Sequence, residues 1–474
     1  MSDPIIDWGT VHHEPPAWYT DAKFGLFFHW GPYAVPAYRD EWYSRNMYTQ
    51  GLPQNLYHEK TYGKLHDFGY KDFYPGMTGA RFDPDEWADL AVRAGARYAG
   101  PVTEHADNFS MWDSKVNPVN CVNYGPRRDV TGECAAALRA RGIKVLSTFH
   151  HQWLWGWFMS TDNEADVYPP ENEKFYGPAL PLETNRYKPY RMPDEAFCRT
   201  WRAKVDEVVD KYQPDVLYFD SRTFIIREQD RFAMAQHYYD HCKKGIITYK
   251  QEDFPRSIGV FDLECGRFSA PRPYYWQSDD RLEDNVTWCM VQQPKYKSCK
   301  QIVHLLCDIV SKNGSLLLNV GPYADGSFHP QAVRTLEEVG RWLARNGEAI
   351  YGTHAYRVAG EGPSLVEASD YDVSKIEHQL HTGEAADLQN GILTAEDYRF
   401  TVKDGSLYAI AMGWPAGGQC RIRTLARGAG GPAVQCVRLL GDAAPLAFRQ
   451  TGDALLVDLP ATHEEQPAYV LKVD

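Results

Sequence analysis

Short apolar runs alternate with helical patterns over the first three quarters of the chain. The strand candidates are Phe24–Trp30, Arg97–His105, Ile143–His151, Asp215–Asp220, Gly245–Gln251, Ile258–Glu264, Tyr274–Asp279 and Ser315–Val320. Eight strands with helices between them are what a closed parallel barrel requires. Asp83-Pro84-Asp85-Glu86 predicts a helix start, with Asp83 as cap, Pro84 at the first helical position and Glu86 able to reach back. That helix runs through Trp87, Leu90, Ala91 and Ala94 to a stop at Gly95. A second helix spans about Tyr296 to Lys312, with Ile302, Leu305, Leu306, Ile309 and Val310 as its buried stripe. A third covers roughly Gln331 to Ala344. Tyr33–Arg81, Gln152–Met192 and Gln277–Pro294 read as long loops that follow strand ends. After Tyr351-Gly352-Thr353, Gly, Thr and Asp turns separate short alternating runs, which predicts a small β-sandwich. The expected organisation is a catalytic (β/α)8-like TIM barrel over 1–353 followed by a C-terminal β-sandwich over 354–474.

Composition narrows the function. The chain has 474 residues, a formal charge of −13 and no Lys/Arg block, which argues against nucleic acid and anionic membranes as partners. No run of about 18 apolar residues is present, so no membrane span is expected. Aromatic content is 14%, as suits a protein that stacks rings on sugar faces. The ten cysteines are scattered without a CxxC pair, and the first residues carry no secretory pattern. Free thiols and a cytoplasmic location are the expectation.

The strand ends carry the candidate chemistry. They read His29-Trp30, Glu104-His105 with Asp107, His150-His151, Asp220, Gln251-Glu252-Asp253, Glu264, Gln277-Ser278-Asp279-Asp280 and Asn319. Polar residues in phase at the C-terminal ends of barrel strands form a polar cup. Asp220 is the candidate nucleophile, with Tyr218 and Arg222 expected to favour its charged form. Glu264 is the candidate general acid and base, with Phe261, Leu263 and Phe268 expected to raise its pKa. Glu252, Asp279, Asp280 and Glu283 are its rivals. Strand-end histidines also raise a metal-hydrolase reading, but no HxH or HExxH spacing occurs, so a catalytic metal is not expected. Trp153, Trp155 and Trp157 would share one side of an extended segment, as a subsite platform or as the loop's own packing.

Phe24-Gly25-Leu26-Phe27-Phe28-His29-Trp30-Gly31-Pro32-Tyr33, followed by Glu41-Trp42-Tyr43, resembles the opening of the glycoside hydrolase family 29 α-L-fucosidases. Phe82-Asp83-Pro84-Asp85-Glu86-Trp87, Asp308-Ile309-Val310-Ser311-Lys312-Asn313-Gly314, Leu316-Leu317-Leu318-Asn319-Val320-Gly321-Pro322 and Asn346-Gly347-Glu348-Ala349-Ile350-Tyr351-Gly352 extend the resemblance over about residues 8–353. It implies an exo-acting retaining glycosidase that removes a terminal α-L-fucose or fucose-like sugar from an oligosaccharide or glycoconjugate, without metal or cofactor. A homo-oligomer is among its implications. Asp220 matches the family's nucleophile and Glu264 the acid/base of one branch. His29, Glu41, Trp42 and His105 match its sugar-hydroxyl contacts. Phe27 and Trp288 stand where aromatics flank the sugar, Tyr218 where a Trp is common, and His150 near a position often held by Tyr.

The family's Lys-His-His-Asp-Gly-Phe is Glu104-His105-Ala106-Asp107-Asn108-Phe109 here, so one imidazole is replaced by a methyl group. Ala106 is expected to make room for an altered sugar, such as α-L-galactose or a substituted fucose. Ordinary fucosidase activity with a compensating neighbour is the conservative reading. A reading from a different class is a catalytically inactive barrel that still binds sugar.

Overall fold

In the computed structural model, residues 6–11, 13–180, 191–251, 253–285, 287–364 and 393–474 are described. Their first eight strands are β1 (Phe24–Phe28), β2 (Tyr98–Glu104), β3 (Lys144–Phe149), β4 (Val216–Phe219), β5 (Ile246–Lys250), β6 (Gly259–Asp262), β7 (Trp276–Arg281) and β8 (Gly314–Asn319). Each pairs in parallel with the next, and β8 pairs back onto β1 to close the barrel. Strands buried on both faces explain the near-continuous apolar runs. Alternate residues divide into two layers. Phe27, Val102, Leu146, Val216, Ile246 and Leu317 fill the barrel. Leu26, Phe28, Val145, Leu217, Ile247 and Leu318 join the layer shared with the helices. β7 runs on to Arg281, so the third long segment starts at Leu282 rather than at Gln277.

The lower barrel is plugged by polar contacts between large side chains. Tyr19 and Tyr98 hydroxyls both donate to Gln277 Oε1, at 2.8 and 2.9 Å, and Gln277 Nε2 donates to Asp262 Oδ2 at 2.5 Å. Gly25 permits this crossing, because a Cβ there would come within 2.4 Å of the Tyr98 ring.

The predicted helices form with adjusted ends. Pro84–Ala94 is capped by Asp83, which accepts from the Asp85 and Glu86 amides, and it stops at Gly95 with φ 84°. Glu86 pairs with Arg93. The second helix starts at Cys299, because Ser298 and Gln301 form a reciprocal capping box. The third spans Pro330–Asn346.

The C-terminal part has two antiparallel sheets. One follows the order β13-β16-β11-β10-β9, built from β9 (His354–Glu361), β10 (Tyr398–Lys403), β11 (Ser406–Ala411), β13 (Val437–Leu439) and β16 (Tyr469–Val473). The other follows β12-β15-β14, from β12 (Gln419–Ile422), β14 (Phe448–Gln450) and β15 (Leu455–Asp458). Phe400, Ile422, Leu455, Val457 and Leu471 belong to a core common to both sheets. A buried ion pair joins this module to the barrel, with Arg399 Nε 2.7 Å from Asp308 Oδ1. Among the described residues no helix is long and apolar enough to cross a membrane. All ten cysteines are free thiols.

Candidate active site

Period-two alternation sets which strand-end residues face the barrel axis. On β4 the inward phase is Val216, Tyr218 and then Asp220. On β5 it is Ile246, Thr248 and Lys250, and on β6 it is Val260, Asp262 and then Glu264. The same phase on three neighbouring strands brings two carboxylates and an ammonium group together. Lys250 Nζ lies 3.0 Å from Asp220 Oδ1, 2.7 Å from Glu264 Oε2 and 3.0 Å from Asp279 Oδ2. Because both contact the same nitrogen, the Asp220 and Glu264 oxygens are separated by no more than the two lengths 3.0 and 2.7 Å laid end to end. That bound accommodates the roughly 5–5.5 Å of a retaining pair and falls short of the ~6.5–9.5 Å of an inverting pair.

Asp220 is held at both oxygens, since Trp153 Nε1 donates to Oδ2 at 2.8 Å. Gln152 Nε2 fixes the backbone beneath it through the Asp220 and Ser221 carbonyls, at 2.7 and 3.0 Å. Two of the expected supports act elsewhere. The Tyr218 hydroxyl donates to Asp279 Oδ2 at 3.1 Å, and Arg222 Nη1 donates to the Trp155 carbonyl at 3.0 Å. Lys250, a cation that the sequence pattern did not single out, touches Asp220. Its position on the inward phase of β5 was the available signal. Burial alone would pull the Lys250 ammonium down, but Asp220, Asp279 and Glu264 outweigh it and hold its pKa well above the usual lysine value. Asp279 is pushed well up by burial and then by Asp262.

Glu264 is about one-fifth exposed and contacts Lys250. The expected apolar neighbours pack on the outside of the barrel, Phe268 against Trp276 and Phe261 near Tyr249. Among its rivals, Asp280 is paired with Lys297 at 2.9 Å and Glu283 accepts from the Gly321 amide at 3.0 Å. Asp279 lies deeper in the cluster, and Glu252 falls outside the described residues.

The remaining predicted contacts gather beside this cluster. The His29, His105 and His150 rings lie 4.8 to 5.7 Å apart, centroid to centroid. Asn319 Nδ2 donates to the Trp288 carbonyl, so its Oδ1 accepts from His29 Nδ1 at 2.7 Å and leaves His29 Nε2 as an acceptor. Burial and mutual repulsion hold His29 and His150 well below the usual histidine pKa, and burial holds His105 at about 4. The imidazoles are therefore neutral at neutral pH, each with one donor and one acceptor. The Nδ1 atoms of His105 and His150 and the Tyr33 hydroxyl are buried without a partner. Glu41 accepts from the Trp288 amide at 2.8 Å, and burial pushes its carboxyl up to about 8. Phe27, Tyr218 and Trp288 form an aromatic wall, with ring centroids 5.8 to 6.2 Å from Phe27. Trp42 packs on Trp153 and Trp157. The Arg281 guanidinium lies over Trp288 at 5.6 Å, a second inward cation that the sequence reading missed.

Three expectations need correction. The segment after β3 is a 3-10 turn (His151–Leu154), so the three Trp do not share one side. Trp153 and Trp157 face Trp42, whereas Trp155 packs on Phe197 and donates to the Arg191 carbonyl. Glu104 and His151 lie outside the cup, with Glu104 buried against Lys204 at 2.7 Å and against His151. The pairing of β2 with β3 slips between Val102 and Glu104, which turns His105 inward in place of Glu104. Ala106 is buried within the large apolar cluster around the barrel. The ring beside His105 belongs to His150.

The three inward histidines offer ring nitrogens within 4.8 Å of one another, a spacing that could also hold a divalent ion.

Residues 6–348 match the family model described as Alpha-L-fucosidase, and residues 389–474 match the Alpha-L-fucosidase C-terminal domain. Tissue alpha-L-fucosidase from Bos taurus is 31% identical over 376 residues, covering 76% of this chain and 74% of its own. The human plasma alpha-L-fucosidase is 26% identical and covers 94% of this chain and 86% of its own. The crystal structure of Thermotoga maritima alpha-fucosidase with fucose superposes with a TM-score of 0.75 at 26% identity, covering 99% of each chain. The same enzyme with a mechanism-based inhibitor gives 0.77 at 26%, covering 98% of this chain and 99% of its own.

Proposed function

From the premise that this chain belongs to the α-L-fucosidase family, we propose that it is an exo-acting retaining α-L-fucosidase that removes terminal fucose from oligosaccharides or glycoconjugates. The observation that carries this reading is the single ammonium group joining Asp220 and Glu264. Asp220, ionised and held by Lys250 and Trp153, attacks the anomeric carbon. Glu264 gives its proton to the departing glycosidic oxygen. The resulting ester on Asp220 is then hydrolysed by a water that Glu264, now a carboxylate, deprotonates. An active barrel is favoured over a binding-only one because both carboxylates are present and joined.

The neutral imidazoles of His29, His105 and His150, with the protonated Glu41, suit a ring of sugar hydroxyls. His150 restores from β3 the imidazole that Ala106 lacks, which favours plain α-L-fucose over an enlarged sugar. The wall of Phe27 and Trp288 suits the methyl group of a 6-deoxy sugar. A hydroxyl pressed against it without a partner costs about 1–3 kcal/mol, so aryl α-L-fucoside is expected to exceed aryl α-L-galactoside in kcat/KM by roughly 10–100-fold. The barrel is plugged below the cup, which restricts the cup to a terminal residue. The decisive test is trapping with a 2-fluoro-fucosyl fluoride followed by peptide mass mapping. The label is expected on Asp220, and Asp220→Ala is expected to lower kcat by three orders of magnitude or more. Label on Glu264 or Asp279 would overturn the assignment.

A further inference from the structure

Two helices flank the nucleophile strand, Glu195–Tyr212 before β4 and Glu228–His241 after it. Helices of such a barrel run antiparallel to its strands, so their C-terminal turns lie on the face opposite the cup. In those turns three side chains from the two helices converge. His237 and His241 are one turn apart on the second helix, with ring centroids 4.2 Å apart. Their Nε2 atoms lie 2.7 and 3.9 Å from one oxygen, Asp210 Oδ1 of the first helix. A ligating atom from each of the three lies within 4.8 Å of the others.

The second contacts of these residues are arranged as a metal site needs. His241 Nδ1 is 2.8 Å from the His237 carbonyl, which can only accept. Nδ1 of His241 therefore carries a proton, and in the neutral ring Nε2, on the side of Asp210, holds the lone pair. One turn before Asp210, Asp206 has Oδ1 buried without a partner, while its Oδ2 accepts from Arg202 Nε at 3.1 Å. His237 is close enough to register on the Asp206 carboxyl.

We propose that Asp210, His237 and His241 form a binding site for a divalent transition metal, clamping together the two helices that bracket β4. Two imidazoles and a carboxylate, with a water as the fourth ligand, match the donor set and tetrahedral preference of zinc. The site is separate from the cup and uses none of the residues assigned to hydrolysis.

The test uses the full chain, treated with chelator, dialysed, and titrated with zinc by calorimetry and by thermal melting. Wild type is expected to bind one zinc at this site with a rise in Tm. His241→Gln and Asp210→Asn are each expected to weaken zinc binding at least tenfold and to lose most of that rise, with metal-free fucoside hydrolysis unchanged. Both changes are at exposed positions, and metal-free melts of the variants check that they fold. Absence of zinc binding by wild type, or undiminished binding by His241→Gln, would overturn the proposal. So would a zinc effect that survives in His241→Gln and disappears in His105→Asn, since that would place the ion in the cup.

Discussion

Among the buried lysines that meet carboxylates, Lys250 stands inside the barrel and Lys204 behind its wall. Lys204, from the helix before β4, lies 2.7 Å from Glu104 and donates to Asn108 Oδ1 at 2.8 Å. The other Glu104 oxygen accepts from Ser110 at 2.5 Å. One acid and one base cancel, and their remaining hydrogen-bonding positions are largely occupied. Lys250 faces three carboxylates, with Asp262 immediately behind. The same burial has opposite outcomes. It pulls Lys204 below the usual lysine value despite Glu104, while three acids hold Lys250 above it. A balanced pair locks structure. An excess of acid over base leaves carboxyl groups to share protons, the condition under which one side chain can serve as nucleophile and its neighbour as acid.

The comparison can be broken by exchanging the roles of the two lysines. Lys250→Met is expected to lower kcat/KM by on the order of 10²–10³, the range for loss of one positioned electrostatic group. Thermal stability should fall less than in Lys204→Met, because the freed carboxyls can take up protons. If Lys250→Met were the less stable of the two, the distinction between working and structural clusters would fail.

Lys204→Met acts on the other side of the barrel wall. It strands a fully buried carboxylate and is expected to cost about 3–5 kcal/mol of stability. The activity of the molecules that remain folded should stay within about twofold of wild type. Removing both charges with Lys204→Met and Glu104→Gln should recover most of the loss, and chemical denaturation of the single and double variants measures it.

A smaller effect sharpens the contrast through pH. Burial would raise the Glu104 carboxyl, but Lys204 and His151 bring it from 4.5 down to about 2. A depressed folded pKa means that the contribution is complete above the unfolded value and is lost as pH falls through the folded one. Wild type should therefore lose stability between about pH 4.5 and pH 2, and Glu104→Gln should show a flatter melting profile across that window.

Much of this was readable in the chain. The Val216–Phe219 and Ile246–Lys250 runs announce buried parallel strands, and Asp83 with Pro84 marks a helix start that the structure reproduces. Asp220, Glu264 and His105 stand at strand ends and in the cup. Lys250 was legible in principle, since it shares its phase with Ile246 and Thr248, but a lone lysine at a strand end announces no role until its partners are known. The Trp153–Trp157 spacing misled because it was read with the period of an extended segment, and the chain turns there as a 3-10 helix.

The sequence alone determined the eight-stranded barrel and the second β module, and it put Asp220 and Glu264 at strand ends as candidate carboxylates. Each follows from local periodicity, capping and strand-end residue type, which act between near neighbours in the chain. Only the tertiary structure decided that a slip in the β2–β3 pairing turns His105 inward and Glu104 outward, and that His150 fills the place beside it. It also decided that one ammonium joins acids from three strands. These outcomes depend on register between strands and on charge balance among residues distant in sequence. Neither is encoded in any one segment.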